Sequence, residues 1–204
     1  MKATQELHNL GQSLWLDNIT RDLLDNGTLK RYIDEFSVTG LTSNPTIFEH
    51  AISKSKSYDA EIGRLLSTGL SGEELFFELA LQDLTRAADL FASVHEQTAG
   101  NDGFVSLEVS PLLAYDTKGS VAAATRLHKK ANRPNLFIKI PGTKEGNPAI
   151  EASIRYESRW RRTSELRKVL LWKMRAAWAR AASTSKTIRF QSISYGSTAC
   201  GDSS

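Results

Sequence analysis

Only one cysteine, Cys200, occurs among the 204 residues. That excludes an intrachain disulfide framework and any cysteine-cluster metal site, and it fits a reducing compartment, so a cytoplasmic location is expected. No stretch reaches the roughly 18 apolar residues that a membrane-spanning helix requires. The first ten residues lack the apolar centre of a secretory signal, so none is expected there. Gly-x-Gly-x-x-Gly and Walker-type loops are missing, which argues against a classical dinucleotide or P-loop nucleotide site. His8, His50, His95 and His128 are scattered without ligand spacing, so no metal is expected. No internal repeat is found.

What is present suits one domain, or at most two small ones, with a real core: 40% of the residues are apolar and 24% charged. The net charge of +3 hides a split. Residues 1–154 carry 15 Lys+Arg against 20 Asp+Glu, whereas residues 155–204 carry 11 against 3. The last quarter also holds Trp160, Trp172 and Trp178. Such asymmetry marks either a basic arm or two pieces of unlike origin.

Along the first part, apolar strand-like runs alternate with helical patterns. Ser13–Asp17, Val38–Ser43, Phe104–Val109 and Leu136–Pro141 read as four strands. Asn44-Pro45 stops the second, because the residue before proline is pushed out of the helical region. Thr46–Leu66 reads as helical. Leu70–Gln97 reads as a helix opened by Ser71 and Glu74 at capping-box spacing and striped by Leu75, Leu79, Leu84, Ala88, Phe91 and Val94. Thr117–Asn132 and the segment from Gly146 complete the set. This order predicts a parallel sheet with helices outside it. Four such units make half of an eight-stranded α/β barrel.

Each strand places a polar group at or near its C-terminal end: Asp17, Asn44, Glu108 and Lys139. In an α/β barrel these ends converge on the rim where sites are built. Lys139, between Ile138 and Ile140, stands out, because a charge in an apolar strand is costly unless paired or functional. A lysine desolvated in a barrel loses affinity for its proton, which frees the amine to attack a carbonyl and form an imine. The plainer alternatives are a rim ion pair of Lys139 with Asp17 or Glu108, a capping role for Asp17 toward Arg21, a solvent-facing Glu108 and a turn role for Asn44.

LWLDNI (residues 14–19), GLTSNPTIF (40–48), VSLEVSP (105–111) and NLFIKIPGT (135–143), followed by Glu145-Gly146, resemble successive blocks of transaldolase, most closely its longer bacterial branch. The resemblance runs from about Gly11 to Ile154. It implies a (β/α)8 TIM barrel of which the first four βα units are present. It also implies transfer of a dihydroxyacetone unit between sugar phosphates in the pentose phosphate pathway, without a metal or organic cofactor. On that resemblance Lys139 is the Schiff-base lysine and Asp17 the base that takes the C4 hydroxyl proton. Glu108 acts through a water in making and hydrolysing the imine, and Asn44 holds a substrate hydroxyl. The chemistry is coherent: a protonated imine is an electron sink for the carbanion left by retro-aldol cleavage, and a nearby carboxylate moves a proton at each stage. A fructose 6-phosphate aldolase-like lyase using the same imine is the alternative.

The resemblance stops after Ile154. Residues 155–204 show no strand–helix alternation and no glycine before Gly196. Three readings stand for this basic helical tail: translation in a shifted frame, a basic amphipathic helix for RNA or an anionic membrane, or a divergent completion of the domain. The tail carries no recognisable nucleic-acid module, so no specific nucleic acid is expected. Four strands without the rest of a barrel leave open edges, so self-association and weak or absent activity are expected.

Overall fold

The computed structural model describes residues 2–160. Most of the basic tail read from residue 155 onward lies outside the described residues. A short helix α1 (Ala3–Asn9) leads into β1 (Leu14–Asp17). Then come α2 (Arg21–Asp25), α3 (Thr28–Phe36) and β2 (Val38–Thr42). Helix α4 (Pro45–Lys54), a 3-10 turn (Lys56–Tyr58), α5 (Asp59–Ser67) and α6 (Gly72–Gln97) precede β3 (Phe104–Glu108). A 3-10 turn (Pro111–Leu113), α7 (Thr117–Ala131), β4 (Leu136–Lys139) and α8 (Gly146–Trp160) follow.

The four strands form one sheet in the order β1-β2-β3-β4, every pair parallel. Parallel neighbours need a crossover, and the intervening helices supply it. Leu16, Leu41, Val105, Leu107, Leu136 and Ile138 lie on the helix-facing side, within or against one continuous apolar cluster. The long helix α6 is the centre of that layer. It packs on β2, β3 and β4 and also touches α2, α3, α5 and α7.

One local expectation is refined and one corrected. Thr46–Leu66 is helical but broken at Ser55, which leaves α4 in an extended conformation and whose hydroxyl accepts from the Ser57 amide to start the 3-10 turn. The capping box at Ser71 is not made. Ser71 is the N-cap residue, but Gly72 has φ +54°, and this left-handed first residue accompanies a cap with no side-chain hydrogen bond. The buried face of α6 is also wider than the single stripe, taking in Phe77, Ala80, Leu81, Asp83 and Ala87.

Three remote segments meet at the start of β3 and β4. The buried Asn135 side chain donates to the carbonyl of Ala88 on α6 (2.8 Å) and to that of Gly103 (2.9 Å). Its own carbonyl accepts from the Val105 amide. Asn135 thus clamps these segments together. Gly103 itself has φ +79°, and a Cβ there would lie 2.4 Å from the His95 backbone nitrogen. Gly103→Ala is therefore expected to lower the urea midpoint, by about 1–3 kcal/mol of stability, through overpacking on top of an unfavourable backbone conformation.

Candidate active site

The ladder register fixes which side chains share the face away from the helices. Asp17 is level with Thr42, Thr42 with Ser106, and Ser106 with Phe137; one step further along, Glu108 is level with Lys139. Neighbours in register point the same way, so Asp17, Thr42, Ser106, Glu108 and Lys139 line one surface. Towards the start of the strands, the same face carries the stacked rings of Phe104 and Phe137, 3.9 Å apart, with His95 set edge-on to Phe104. An aromatic floor thus lies beneath a polar rim.

Lys139 crosses this face from β4 toward β2. Its Nζ donates to Thr42 Oγ1 at 3.2 Å and to the Ser43 carbonyl, and it lies 3.5 Å from Glu108 Oε2. The side chains of Lys139 and Glu108 are 18% and 11% exposed, so the pair is largely withdrawn from water. Burial holds the Lys139 ammonium below the ordinary lysine value, against the pull of the Glu108 carboxylate and the weaker pull of Asp17. The sign follows directly. A lysine with a lowered folded pKa binds fewer protons folded than unfolded, so this group adds stability as pH rises toward the ordinary lysine value. The acylation rate of Lys139 by acetic anhydride, followed against pH by peptide mass, is expected to level off below the ordinary lysine value.

The expected residues fare differently. Lys139 and Glu108 are brought together, and Glu108 does not face solvent. Asp17 ends β1 on the same face and is exposed. Its alternative role as a cap toward Arg21 is not realised, because Thr20 caps α2 and Arg21 turns to Asp83. Asn44 does take the local role: its Oδ1 accepts from the Ile47 amide at 2.7 Å and caps α4. That leaves the amide nitrogen as the part that can meet a ligand.

Sequence reading missed Thr42 and Ser43 as partners of the lysine. Two-residue spacing was the available signal, since it puts Thr42 on the face of Asn44 and Ser106 on that of Glu108. A separate groove of about 460 Å³, lined in part by Asn18, Asp22, His50 and Lys54, does not include Lys139 or Glu108. Among the described residues, no group of His, Cys, Asp and Glu is arranged to hold a metal, and no helix is long and apolar enough to cross a membrane.

A parallel β/α sheet with a half-buried amine and carboxylates at its C-terminal strand ends is the architecture of the α/β-barrel class. Comparison with known proteins narrows this. The family model described as transaldolase/fructose-6-phosphate aldolase matches residues 14–158. The transaldolase of Thiobacillus denitrificans is 48% identical over 151 residues, covering 74% of this chain and 42% of that protein. Those of an Arthrobacter species (47%) and Trichodesmium erythraeum (43%) align over 74% and 71% of this chain, and over 41% and 38% of their own lengths. The chain belongs to the transaldolase/fructose-6-phosphate aldolase family and has the fold of its TIM-barrel class, with four βα units among the described residues. It spans about two-fifths of the length of these relatives.

Proposed function

We propose that this chain carries the imine-forming part of a transaldolase-type site. The observation that supports it is the half-buried Lys139 amine, set beside Glu108 on a polar face of the sheet. The neutral amine attacks the ketone carbon of a ketose phosphate, and loss of water from the carbinolamine gives the imine. Protonated, the imine accepts the electron pair of the breaking C3–C4 bond while Asp17 takes the C4 hydroxyl proton. Glu108 returns and removes protons through a water during imine formation and hydrolysis, and Asn44 holds a substrate hydroxyl. The reaction is transfer of a dihydroxyacetone unit from sedoheptulose 7-phosphate to glyceraldehyde 3-phosphate, giving erythrose 4-phosphate and fructose 6-phosphate. It belongs to the cytoplasmic pentose phosphate pathway and uses no cofactor. The alternative is a lyase that releases free dihydroxyacetone without an aldose acceptor, an activity that the family's description also names.

We propose further that residues 1–154 form the barrel-derived unit and that residues 155–204 are a basic tail of separate origin, read in a shifted frame. The nucleotide sequence around codon 154 tests this, since a strand–helix continuation in another frame is the expected result. Among the described residues, β1 and β4 pair on one side only. Such edges favour self-association of the chain.

Borohydride reduction with fructose 6-phosphate, followed by peptide mapping, tests the central reading. The expected result is one adduct, on Lys139, with turnover of fructose 6-phosphate and erythrose 4-phosphate well below ordinary enzyme rates. An adduct elsewhere, or none in a folded sample, sinks the site. Ordinary turnover by the purified monomer sinks the proposal of a weakened enzyme.

A further inference from the structure

Two small hydroxyls beneath the lysine have no part in the proposed reaction. Thr42 and Ser106 are 6% and 3% exposed, and they sit in register on β2 and β3. Ser106 Oγ donates to Thr42 Oγ1 at 3.1 Å, and the Ser106 carbonyl accepts from Ser43 Oγ at 2.7 Å. Thr42 Oγ1 therefore receives two hydrogen bonds, one from Ser106 and one from Lys139.

We infer that Ser106 is a positioning residue for the lysine, acting through Thr42 to keep the lone pair of the neutral Lys139 amine open to an incoming carbonyl. A hydroxyl oxygen has two acceptor directions and one hydrogen. With Ser106 in one acceptor direction and Lys139 in the other, the Thr42 hydrogen points away from the lysine. The amine then gives one N–H to Thr42 Oγ1 and one to the Ser43 carbonyl. The third tetrahedral direction, where the ammonium has its last proton, is taken by neither Thr42 nor Ser43. Without Ser106, Thr42 is free to rotate and donate its hydrogen to the amine, which occupies the electron pair that must attack. Ser106 is also short enough for the lysine to pass over β3 on its way to Thr42. Among the described residues, the charged groups that act on the amine are Glu108 from β3 and Asp17 from β1; Thr42 of β2 and the following Ser43 are neutral.

The inference rests on the reading of Lys139 as a nucleophile, so its test uses a reagent that needs no sugar site. In the full chain, the acylation rate of Lys139 by acetic anhydride is measured against that of exposed Lys118, across pH, by peptide mass. Ser106→Ala is expected to lower the high-pH limiting rate of Lys139 by about fivefold, the scale of one neutral hydrogen bond. Thr42→Val is expected to lower it as well. Ser106→Ala is expected to add nothing in the Thr42→Val background, because one residue acts through the other. An unchanged limiting rate in Ser106→Ala, or the same factor in both backgrounds, overturns the inference. Should Ser106→Ala fail to unfold cooperatively in urea, Ser106→Cys, close in size and a weak donor, is held to the same two outcomes. Borohydride trapping with fructose 6-phosphate on the same samples separates the two ideas. An untrapped wild type with coupled acylation sinks only the imine reading, whereas a trapped wild type with uncoupled acylation sinks only the role of Ser106.

Discussion

Lys139→Met is expected to eliminate the borohydride-trapped sugar adduct and to lower any transfer or cleavage activity by roughly 10⁴-fold or more, the scale seen when a covalent nucleophile is removed. The substitution is chosen to separate chemistry from folding. Methionine keeps the unbranched apolar stem that lies across β3, and it ends a charge that burial disfavours. The urea midpoint is therefore expected to hold or rise slightly while the adduct disappears. The lost hydrogen bonds to Thr42 and the Ser43 carbonyl and the lost cation beside Glu108 oppose that gain, while Thr42 keeps its bond from Ser106. Persistence of the adduct in Lys139→Met places the imine on another lysine. A collapse of the midpoint by several kcal/mol gives Lys139 a chiefly structural role.

The largest expected stability loss lies on the helical side, at Asp83. Its side chain is wholly buried on α6, and Arg21 from α2 is 11% exposed; their Nε–Oδ1 distance is 2.9 Å. Tyr58 donates to the other carboxylate oxygen at 2.7 Å, accepts from the Arg21 amide at 3.0 Å, and lies beneath the guanidinium. Arg21 also donates to Gln82. Burial pushes the Asp83 carboxyl up, while the bonds from Tyr58 and Arg21 and the positive charge of Arg21 oppose the rise. Asp83→Ala leaves a buried guanidinium and a phenol without their acceptor. The expected cost is about 3–5 kcal/mol, read as a lower urea midpoint. Tyr58→Phe removes one donor and keeps the charge pair, and is expected to cost about 1–3 kcal/mol. A loss below 1 kcal/mol in Asp83→Ala rules out the network as a main tie between α2 and α6.

The sheet was legible because each strand is a short β-rich run bounded by a breaker, and because the intervening segments carry helical periodicity. The sequence left the partner of Lys139 open between Asp17 and Glu108, and the ladder register decides for Glu108. Asp83 was not legible. It is one carboxylate within an apolar helical stripe, and its partners come from residues 21 and 58, which no local pattern links to it. The Thr42–Ser106 contact was hidden for a related reason. Small hydroxyl residues are ordinary in strands, and only the ladder register shows that these two meet beneath a lysine. Asn44 was ambiguous in the sequence, and the fold uses it as a cap while leaving its amide nitrogen for other work.

The Asn135 clamp has a consequence for the order of assembly. One amide ties the strand bearing the amine to a helix carbonyl 47 positions earlier and to a loop carbonyl 32 positions earlier. These long-range contacts come at a high loop-closure cost, so they form late. Until they close, the Lys139 side chain is open to water. Withdrawal of the Lys139 side chain from water is then a reporter of completed folding.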